Sequence, residues 1–227
     1  MFVHSAATRD QAMALIEVGL NDCAVARRLG VPRSKVRDWR APRYVAKPFE
    51  MTCPRCWRGV RRPFGFTDAD YMELLGLYLG DGYIAKTGRS DRLRLFPDSA
   101  YSRIVAEAAA LLERSFRGRP VGHTLAHGGT MTVLSVYCTH LRCLFPQHGP
   151  GKKHERPIVL EPWQRSLLER QPWPFLRGCI RSDGCVFVNR TGRYAYVSYD
   201  FKNRSQDILD LFGDACELAG VEFRRYA

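Results

Sequence analysis

Apolar positions along this chain follow helical spacing in some segments and strand-like alternation in others. Spacings of three and four residues predict helices over residues 11–18, 22–29, 33–40, 68–81, 99–116, 162–170, 175–183 and 205–219. Short alternating or β-branched runs predict strands over residues 83–86, 93–96, 121–126, 131–137, 185–189, 194–201 and 221–226. Runs of helices and strands in this order predict an α+β protein.

Residues 41–63 contain four prolines and no sustained periodicity, which predicts a linker. Within it, Cys53-Pro54-Arg55-Cys56 has the spacing of half a zinc site. Tetrahedral zinc needs four ligands, and no second Cys-x-x-Cys follows. Cys138, His140 and Cys143 are further ligand types, but we place them in the body of the protein. We therefore favour an unmetallated turn over a Zn²⁺ site at Cys53 and Cys56.

Two nine-residue stretches, 74–82 and 176–184, repeat one pattern. Each begins with Leu, has Gly at its third position and a small residue at its seventh, and ends in Asp-Gly. The third and seventh positions share one face of a helix. Small residues on that face let two helices approach more closely than the usual ~8–10 Å. Because Gly inside a helix costs about 1 kcal/mol relative to Ala, its repeated use indicates a packing role.

The acid of each repeat is the candidate for chemistry. Gly82 and Gly184 stand where left-handed C-caps would end the two helices, which puts Asp81 and Asp183 at the last turns. If the helices cross side by side, both carboxylates meet at the negative ends of two helix dipoles. A divalent cation that prefers oxygen ligands, such as Mg²⁺, would offset both the repulsion between the two carboxylates and their unfavourable interaction with the helix dipoles. The alternative is a pair of Gly-rich helices closed by Asp-Gly turns, without a metal.

The paired stretches resemble the motifs of the LAGLIDADG homing-endonuclease family, in its single-chain, two-repeat form. The resemblance implies that Asp81 and Asp183 bind the metals that cleave DNA, and that Gly80 and Ser182 offer backbone carbonyls to those metals. The sequence departs from the family pattern at Arg177 and Arg181, which are not metal positions in the family.

The resemblance also implies a domain organisation. A helix-turn-helix module would occupy residues 1–45 and a linker residues 46–66. Two αββαββ(α) repeats would follow, over residues 67–170 and 171–227. By comparison with the first repeat, the second lacks a strand and a closing helix, so we expect it to be incomplete.

Residues 10–40 resemble the helix-turn-helix of recombinases and small regulators. Asn21 is a good N-cap for the second helix, and Gly30 ends it. The apolar positions face inward, and the third helix presents basic and polar residues. Similarity then implies that this helix enters a major groove of DNA with Arg33, Ser34, Lys35 and Arg37. The alternative is a three-helix packing unit that never meets DNA.

The net charge of +12 favours a polyanionic partner. Residues 1–65 hold 13 Lys and Arg against 5 Asp and Glu, and the remainder holds 22 against 18. This uneven distribution fits double-stranded DNA better than a membrane surface. No apolar run reaches about 18 residues and no signal peptide is apparent, so we expect a cytoplasmic, nucleoid-associated monomer.

Basic residues supply further candidates for DNA contact and for catalysis. In the family, the sheets lie over the duplex as a saddle, which implies outward DNA contacts from Lys86, Arg89, Arg92 and Arg94. A solvated basic hairpin explains these residues equally well. Lys152, Lys153 and Lys202 are candidates for a lysine that stabilises charge developing on a phosphate.

The sequence favours a metal-dependent, sequence-specific endonuclease that cuts double-stranded DNA at the seam of the two motif helices. The alternative is a transcriptional regulator that binds DNA through an inactive LAGLIDADG core, as in sporulation regulators that pair such a core with a helix-turn-helix. In those regulators the acids are typically replaced, whereas both are present here.

Overall fold

The computed structural model describes residues 6–40, 67–88 and 90–225, and the chain divides into two compact units, residues 1–48 and 49–227. The linker, Cys53, Cys56 and Arg89 lie outside the described residues, so the predictions for them remain predictions.

The N-terminal unit contains three helices, as the periodicity predicts. They are α1 (Ala6–Glu17), α2 (Asp22–Leu29) and α3 (Arg33–Arg40). The side chain of Asn21 caps α2 by accepting a hydrogen bond from the backbone N–H of Ala24 at 3.0 Å. Gly30 ends the helix in the left-handed conformation, with φ of 63°. The inner faces of the helices form one apolar core of Ala12, Val25, Val31, Val36 and Trp39.

The second unit combines helices with two antiparallel sheets, which confirms the α+β prediction. Its helices are α4 (Asp68–Leu79), α5 (Ser102–Ser115), α6 (Leu141–Leu144), α7 (Pro162–Arg170), α8 (Pro172–Asp183) and α9 (Gln206–Leu218). Its strands are β1 (Gly82–Thr87), β2 (Ser90–Leu95), β3 (Gly122–Ala126), β4 (Met131–Cys138), β5 (Gly184–Thr191) and β6 (Tyr194–Phe201). Short 3₁₀ turns lie at His127–Gly129 and Lys153–Glu155.

The two sheets differ in width. The first has four strands in the order β1-β2-β4-β3, and the second consists of β5 and β6 alone within the described chain. Helix α4 is buried along nearly its whole length, from Tyr71 to Leu79, and lies at the centre of the core. It begins with a capping box formed by Thr67 and Asp70.

Helix α4 is followed directly by β1, and α8 by β5. The two hairpins correspond in register: Gly82 pairs with Leu95 in the first, and Gly184 pairs with Phe201 in the second. The sequence repeat is therefore also a structural repeat of helix, strand and strand.

Two local predictions are wrong. Gly82 and Gly184 are not left-handed caps, because Gly82 is the first residue of β1 and Gly184 is extended, with φ of −95° and ψ of 161°. Glycine is needed at both positions because the chain lies against the backbone of the preceding helical turn. A Cβ on Gly82 would lie 2.7 Å from the carbonyl oxygen of Tyr78. The strand predicted over 221–226 is also wrong, since residues 221–225 carry no regular structure.

None of the helices among the described residues has the length and apolarity required to cross a bilayer.

Candidate functional site

The seam between α4 and α8 leaves no room for side chains at its two central glycines. A Cβ on Gly76 would lie 2.5 Å from the carbonyl oxygen of Phe175 and 2.8 Å from the backbone nitrogen of Cys179. A Cβ on Gly178 would lie 2.9 Å from the backbone nitrogen of Leu77. Real Cβ atoms do not come this close to backbone atoms, so the prediction of two helices packed backbone to backbone is confirmed.

Close packing brings Asp81 and Asp183 to one end of the seam. Burial and the nearby Asp183 carboxylate raise the pKa of Asp81 to about 7. Burial also raises the pKa of Asp183, although a hydrogen bond from Asn203 and the charge of Lys153 oppose this rise. Two carboxylates that are desolvated and repel each other form a site with a strong preference for a cation.

Lys153 supplies a positive charge at this end of the seam. Its Nζ donates hydrogen bonds to the carbonyl oxygens of Tyr78, Leu79 and Gly80, at 2.6, 2.9 and 2.6 Å. These are carbonyls at the C-terminus of α4, where the helix leaves acceptors unpaired. Burial lowers the pKa of Lys153 to about 8, and the charges of Asp183 and Asp81 oppose that shift. Of the predicted lysines, Lys153 is therefore the one held against the acid pair.

The other two predicted lysines are less constrained. Lys152 is exposed, and its ammonium lies 3.5 Å from a carboxylate oxygen of Glu155. The Nζ of Lys202 lies 3.0 Å from Asp200, and its side chain is 84% exposed. The backbone N–H of Lys202 donates to the carbonyl oxygen of Asp183 at 3.3 Å, which ties this residue to the site.

Asn203 is a site residue that the sequence analysis did not select. Its Nδ2 donates to Oδ2 of Asp183 at 2.6 Å, and its Oδ1 accepts from the backbone N–H of Ser205 at 2.8 Å. Asn203 therefore fixes one oxygen of Asp183. Its place two residues after β6, the strand that pairs with β5, is a signal that could have identified it.

Gly80 and Ser182 lie in contact where the two motifs meet. A Cβ on Gly80 would overlap the Ser182 side chain and lie 3.1 Å from Oδ2 of Asp183. The Ser182 hydroxyl donates within its own helix, to the carbonyl oxygens of Gly178 and Cys179. The carbonyl oxygen of Gly80, predicted as a metal ligand, accepts from Lys153 and retains a second lone pair.

An open cleft of about 610 Å³ lies at this end of the seam. Asp183, Lys153, Lys202 and Asn203 line it, together with Tyr83 and His148. The ring centroids of Tyr83 and His148 lie 6.0 Å apart in an edge-to-face arrangement. The lining also includes Lys152, Arg156 and Arg204, so the cleft is predominantly cationic around the half-buried Asp183.

These residues fit a hard divalent cation. Two carboxylates and a backbone carbonyl are the oxygen ligands that Mg²⁺ accepts, and Mg²⁺ usually keeps several of its waters. Among the described residues there is no cluster of three or more His, Cys, Asp and Glu side chains able to hold a metal. A metal here would therefore depend on Asp81, Asp183, backbone oxygens and water.

The departures from the family pattern are explained by a buried glutamate. Arg177 and Arg181 of α8 both form ion pairs with Glu73 of α4, whose side chain is only 4% exposed, and the Arg177 contact is 2.6 Å. Arg181 also pairs with Glu107 of α5. The arginines thus satisfy a carboxylate inside the seam, and the presence of Glu73 immediately before the first motif was the signal for this pairing.

The predicted DNA-contacting residues of the first sheet do not share one face. Arg92 and Arg94 alternate with the buried Leu93 and Leu95, so they lie on the outer face. The prediction that Lys86 shares this face is wrong, because Lys86 pairs with Asp91 and both lie on the face of Leu93. The reason is strand parity: Lys86 lies two residues beyond the buried Ile84.

Intramolecular contacts hold the two outer arginines. Arg92 donates to the Ser135 hydroxyl at 2.8 Å and stacks over Tyr137, and Arg94 stacks over Phe96. The outer face of the first sheet is therefore basic and aromatic.

The predicted groove-facing residues of the N-terminal unit lie on the outer side of α3. Arg33, Ser34 and Arg37 are exposed and Lys35 is half-buried, whereas Val36 and Trp39 point into the core. This face is basic and free of large apolar side chains, as the prediction of DNA contact requires.

The chain is similar in structure to a homing endonuclease. The solved structure is that of the homing endonuclease I-WcaI bound to its DNA recognition sequence. The match covers 66% of this chain and 80% of that chain, with 12% identity and a TM-score of 0.33. No protein-family model and no curated protein matches this sequence.

Proposed function

We propose that this chain is a metal-dependent DNA endonuclease of the LAGLIDADG type, with its active site at the end of the α4–α8 seam. The observation that carries the proposal is the coupling of Asp81 and Asp183, two desolvated carboxylates from equivalent positions of a repeat. Mg²⁺ bound by these residues would supply a Lewis acid for a phosphate and a water of lowered pKa.

The residues of the chain have distinct roles in this proposal. Asp81 and Asp183 hold the cation, and Asn203 orients Asp183. Lys153 carries a positive charge beside the acids, where it stabilises the negative charge that develops on a phosphate. The basic cleft and the outer face of the first sheet position the DNA backbone. The exposed residues of α3 contact the major groove and help to fix the position of the chain along double-stranded DNA.

A second function is favoured by a specific observation. The ammonium of Lys153 already neutralises part of the acid pair and is bonded to three carbonyls, so the seam has a resident cation without a metal. A regulator that binds DNA and does not cut it is consistent with this arrangement. The two functions differ in whether divalent metal binds and whether phosphodiester bonds break.

Nicking of supercoiled plasmid tests the proposal. The wild-type chain is incubated with Mg²⁺ or Mn²⁺, and Asp81→Asn, Asp183→Asn and the exposed control Glu113→Gln are treated identically. We expect nicking by the wild type and the control, and a loss of about 10³-fold or more in either Asp variant because each removes a metal ligand. Discrete binding to DNA with no cutting under any divalent metal would establish the regulator instead.

A further inference from the structure

Segment 147–156 brings Lys153 to the end of the α4–α8 seam. It lies within the described chain, and its regular structure is limited to the 3₁₀ turn Lys153–Glu155. In this turn the backbone N–H of Glu155 donates to the carbonyl oxygen of Lys152 at 3.0 Å, and the N–H of Lys152 donates to the Glu155 carboxylate at 3.2 Å. A single helical turn is not stable by itself. The position of Lys153 therefore depends on contacts from outside the turn.

The side chain of Arg156 folds back over the residues that precede it. Its Nε donates to the carbonyl oxygen of Gln147 at 3.2 Å, and its Nη1 donates to those of Pro150 at 3.4 Å and Gly151 at 2.8 Å. It also lies against Gly149, where a Cβ would be 3.2 Å from Cδ of Arg156. One guanidinium thus bonds to three backbone carbonyls and closes the segment into a loop.

The first residue of this loop is anchored in the core. Gln147 is buried, and its Nε2 donates to the carbonyl oxygen of Val159 at 2.8 Å and to the side-chain oxygen of Gln164 at 2.6 Å. Gln164 is also buried and donates to the hydroxyl of Tyr71 on α4 at 2.7 Å. Arg156 is therefore bonded, at Gln147, to a residue that a buried network of hydrogen bonds holds in place.

The guanidinium of Arg156 also reaches helix α4. Burial raises the pKa of Tyr78 to about 12, and the charge of Arg156 and a hydrogen bond from it oppose this rise. The same tyrosine contacts Lys153, whose Nζ lies 5.2 Å from the ring centroid and donates to the Tyr78 carbonyl oxygen at 2.6 Å. Arg156 and Lys153 are thus three positions apart in the chain and contact one residue of the seam.

We propose that Arg156 is a positioning residue for cleavage, which holds the ammonium of Lys153 against the acid pair. It does so by fixing the loop at two points, Gln147 in the core and Tyr78 on α4. This inference rests on the proposed function, in which Lys153 stabilises the charge that develops on a phosphate. A guanidinium suits the role because its donors form a rigid planar fork that bonds several acceptors at once.

Kinetics of plasmid nicking at saturating Mg²⁺ test the proposal with the charge-conserving variant Arg156→Lys. We expect kcat to fall at least about tenfold and KM for DNA to change by less than about threefold, because a displaced Lys153 weakens stabilisation of the transition state while the cleft keeps its charge. Arg165→Met on α7 removes an exposed arginine and should leave both constants unchanged. A full rate in Arg156→Lys would overturn the proposal, since charge alone would then suffice.

A double variant separates positioning from a purely structural role. If Arg156 acts through Lys153, Arg156→Lys should change kcat by less than about twofold when Lys153→Met is already present, because residues that act as a unit are not additive. All rates are compared at a temperature where each variant is folded. A fall of the same size in both backgrounds would overturn the proposal, because Arg156 would then act on another part of the site.

Amide hydrogen exchange gives a readout that does not depend on cleavage. In Arg156→Lys, the amides of Lys152 and Glu155 should exchange at least about tenfold faster than in the wild type, whereas those of α8 keep their protection. Unchanged exchange at both amides would overturn the proposal.

The two measurements also distinguish this inference from the proposed function. A wild type that does not nick DNA with Mg²⁺ or Mn²⁺ removes the nuclease function and the catalytic effect of Arg156 together. A wild type that nicks DNA no faster than Arg156→Lys removes the role of Arg156 alone, and the nuclease function stands.

Discussion

Gly76 and Gly178 face each other across the α4–α8 seam with no space for a side chain on either. A Cβ on Gly178 would lie 3.0 Å from the Cα of Gly76, and a Cβ on Gly76 would lie 3.0 Å from the carbonyl carbon of Gly178. The obstructing atoms belong to the backbone, so no rotamer change can relieve the overlap. The position of the acid pair depends on this approach, because Asp183 is the last residue of α8 and Asp81 lies two residues after the end of α4.

Replacing either seam glycine should therefore separate the helices. In Gly76→Ala and Gly178→Ala we expect a loss of about 2–3 kcal/mol in the free energy of unfolding, although Ala is the better helix former. The rate of nicking should fall by more than the loss of folded protein explains, because Asp81 and Asp183 move apart. Urea denaturation and the plasmid assay, each at a temperature where the variants are folded, measure the two effects.

Glu113→Ala on α5 is the matched helical control for this pair of variants. Glu113 is exposed, and we expect its removal to change the free energy of unfolding by no more than about 0.5 kcal/mol. Unchanged stability in Gly76→Ala would show that the seam is looser than the glycine geometry requires.

The pairing of Glu73 with Arg181 should be strongly coupled. Arg181→Gln removes one of the two arginines that pair with the buried Glu73 and leaves only Arg177, so we expect it to destabilise the fold by about 1–3 kcal/mol. In a double-mutant cycle with Glu73→Gln, the interaction energy should be about 1–3 kcal/mol. Equilibrium denaturation of the wild type, both single variants and the double variant measures it.

An exposed ion pair of the same chemistry provides the comparison. Arg165 and Asp214 contact each other at 2.6 Å, but both side chains are almost half exposed. Solvent screens such a pair, so its coupling energy should be below about 1 kcal/mol. Equal interaction energies in the two double-mutant cycles would mean that the burial of Glu73 does not strengthen its ion pair with Arg181.

The acid pair should make stability depend on pH in the absence of divalent metal. The pKa of Asp81 is raised from 3.8 to about 7, so between these values the folded state holds a proton that the unfolded state releases. The free energy of unfolding must then fall as pH rises through this window. The raised pKa of Asp183 acts in the same direction.

Lys153 reverses the trend at higher pH. Its pKa is lowered from 10.5 to about 8, so the unfolded state binds the extra proton between these values and stability rises with pH there. We therefore expect a stability minimum between pH 7 and 8 in EDTA, measured by urea denaturation across the range. Asp81→Asn should reduce the fall in the free energy of unfolding between pH 4 and 7. A fall as steep as that of the wild type would show that the raised pKa does not belong to Asp81.

Much of the fold could be predicted because it depends on local pattern and on repetition. Helical spacing located α1 to α5 and α7 to α9, and the two copies of one motif identified the seam before any contact was known. A motif repeated in register constrains two helices at once, which is why Gly76, Gly178, Asp81 and Asp183 could be named together.

Features that depend on three-dimensional placement were not predictable in this way. The partnership of Glu73 with Arg177 and Arg181 joins residues more than 100 positions apart and depends on how α8 is rotated against α4. The face of Lys86 depends on strand register. The extended conformation of Gly184 depends on its contact with the preceding turn of α8, where a Cβ would meet Ile180.

Adjacent lysines in one short turn provide the sharpest test of the site. Lys153→Met leaves the carbonyl oxygens of Tyr78, Leu79 and Gly80 without their shared donor, so we expect a loss of about 1–3 kcal/mol in stability. Lys152→Met removes only an exposed ammonium and should change stability by no more than about 0.5 kcal/mol. If Lys153 also stabilises charge on the phosphate, Lys153→Met should lower the rate of nicking at saturating Mg²⁺, whereas Lys152→Met should not. Equal nicking rates in the two variants would restrict Lys153 to a structural role as the cap of α4.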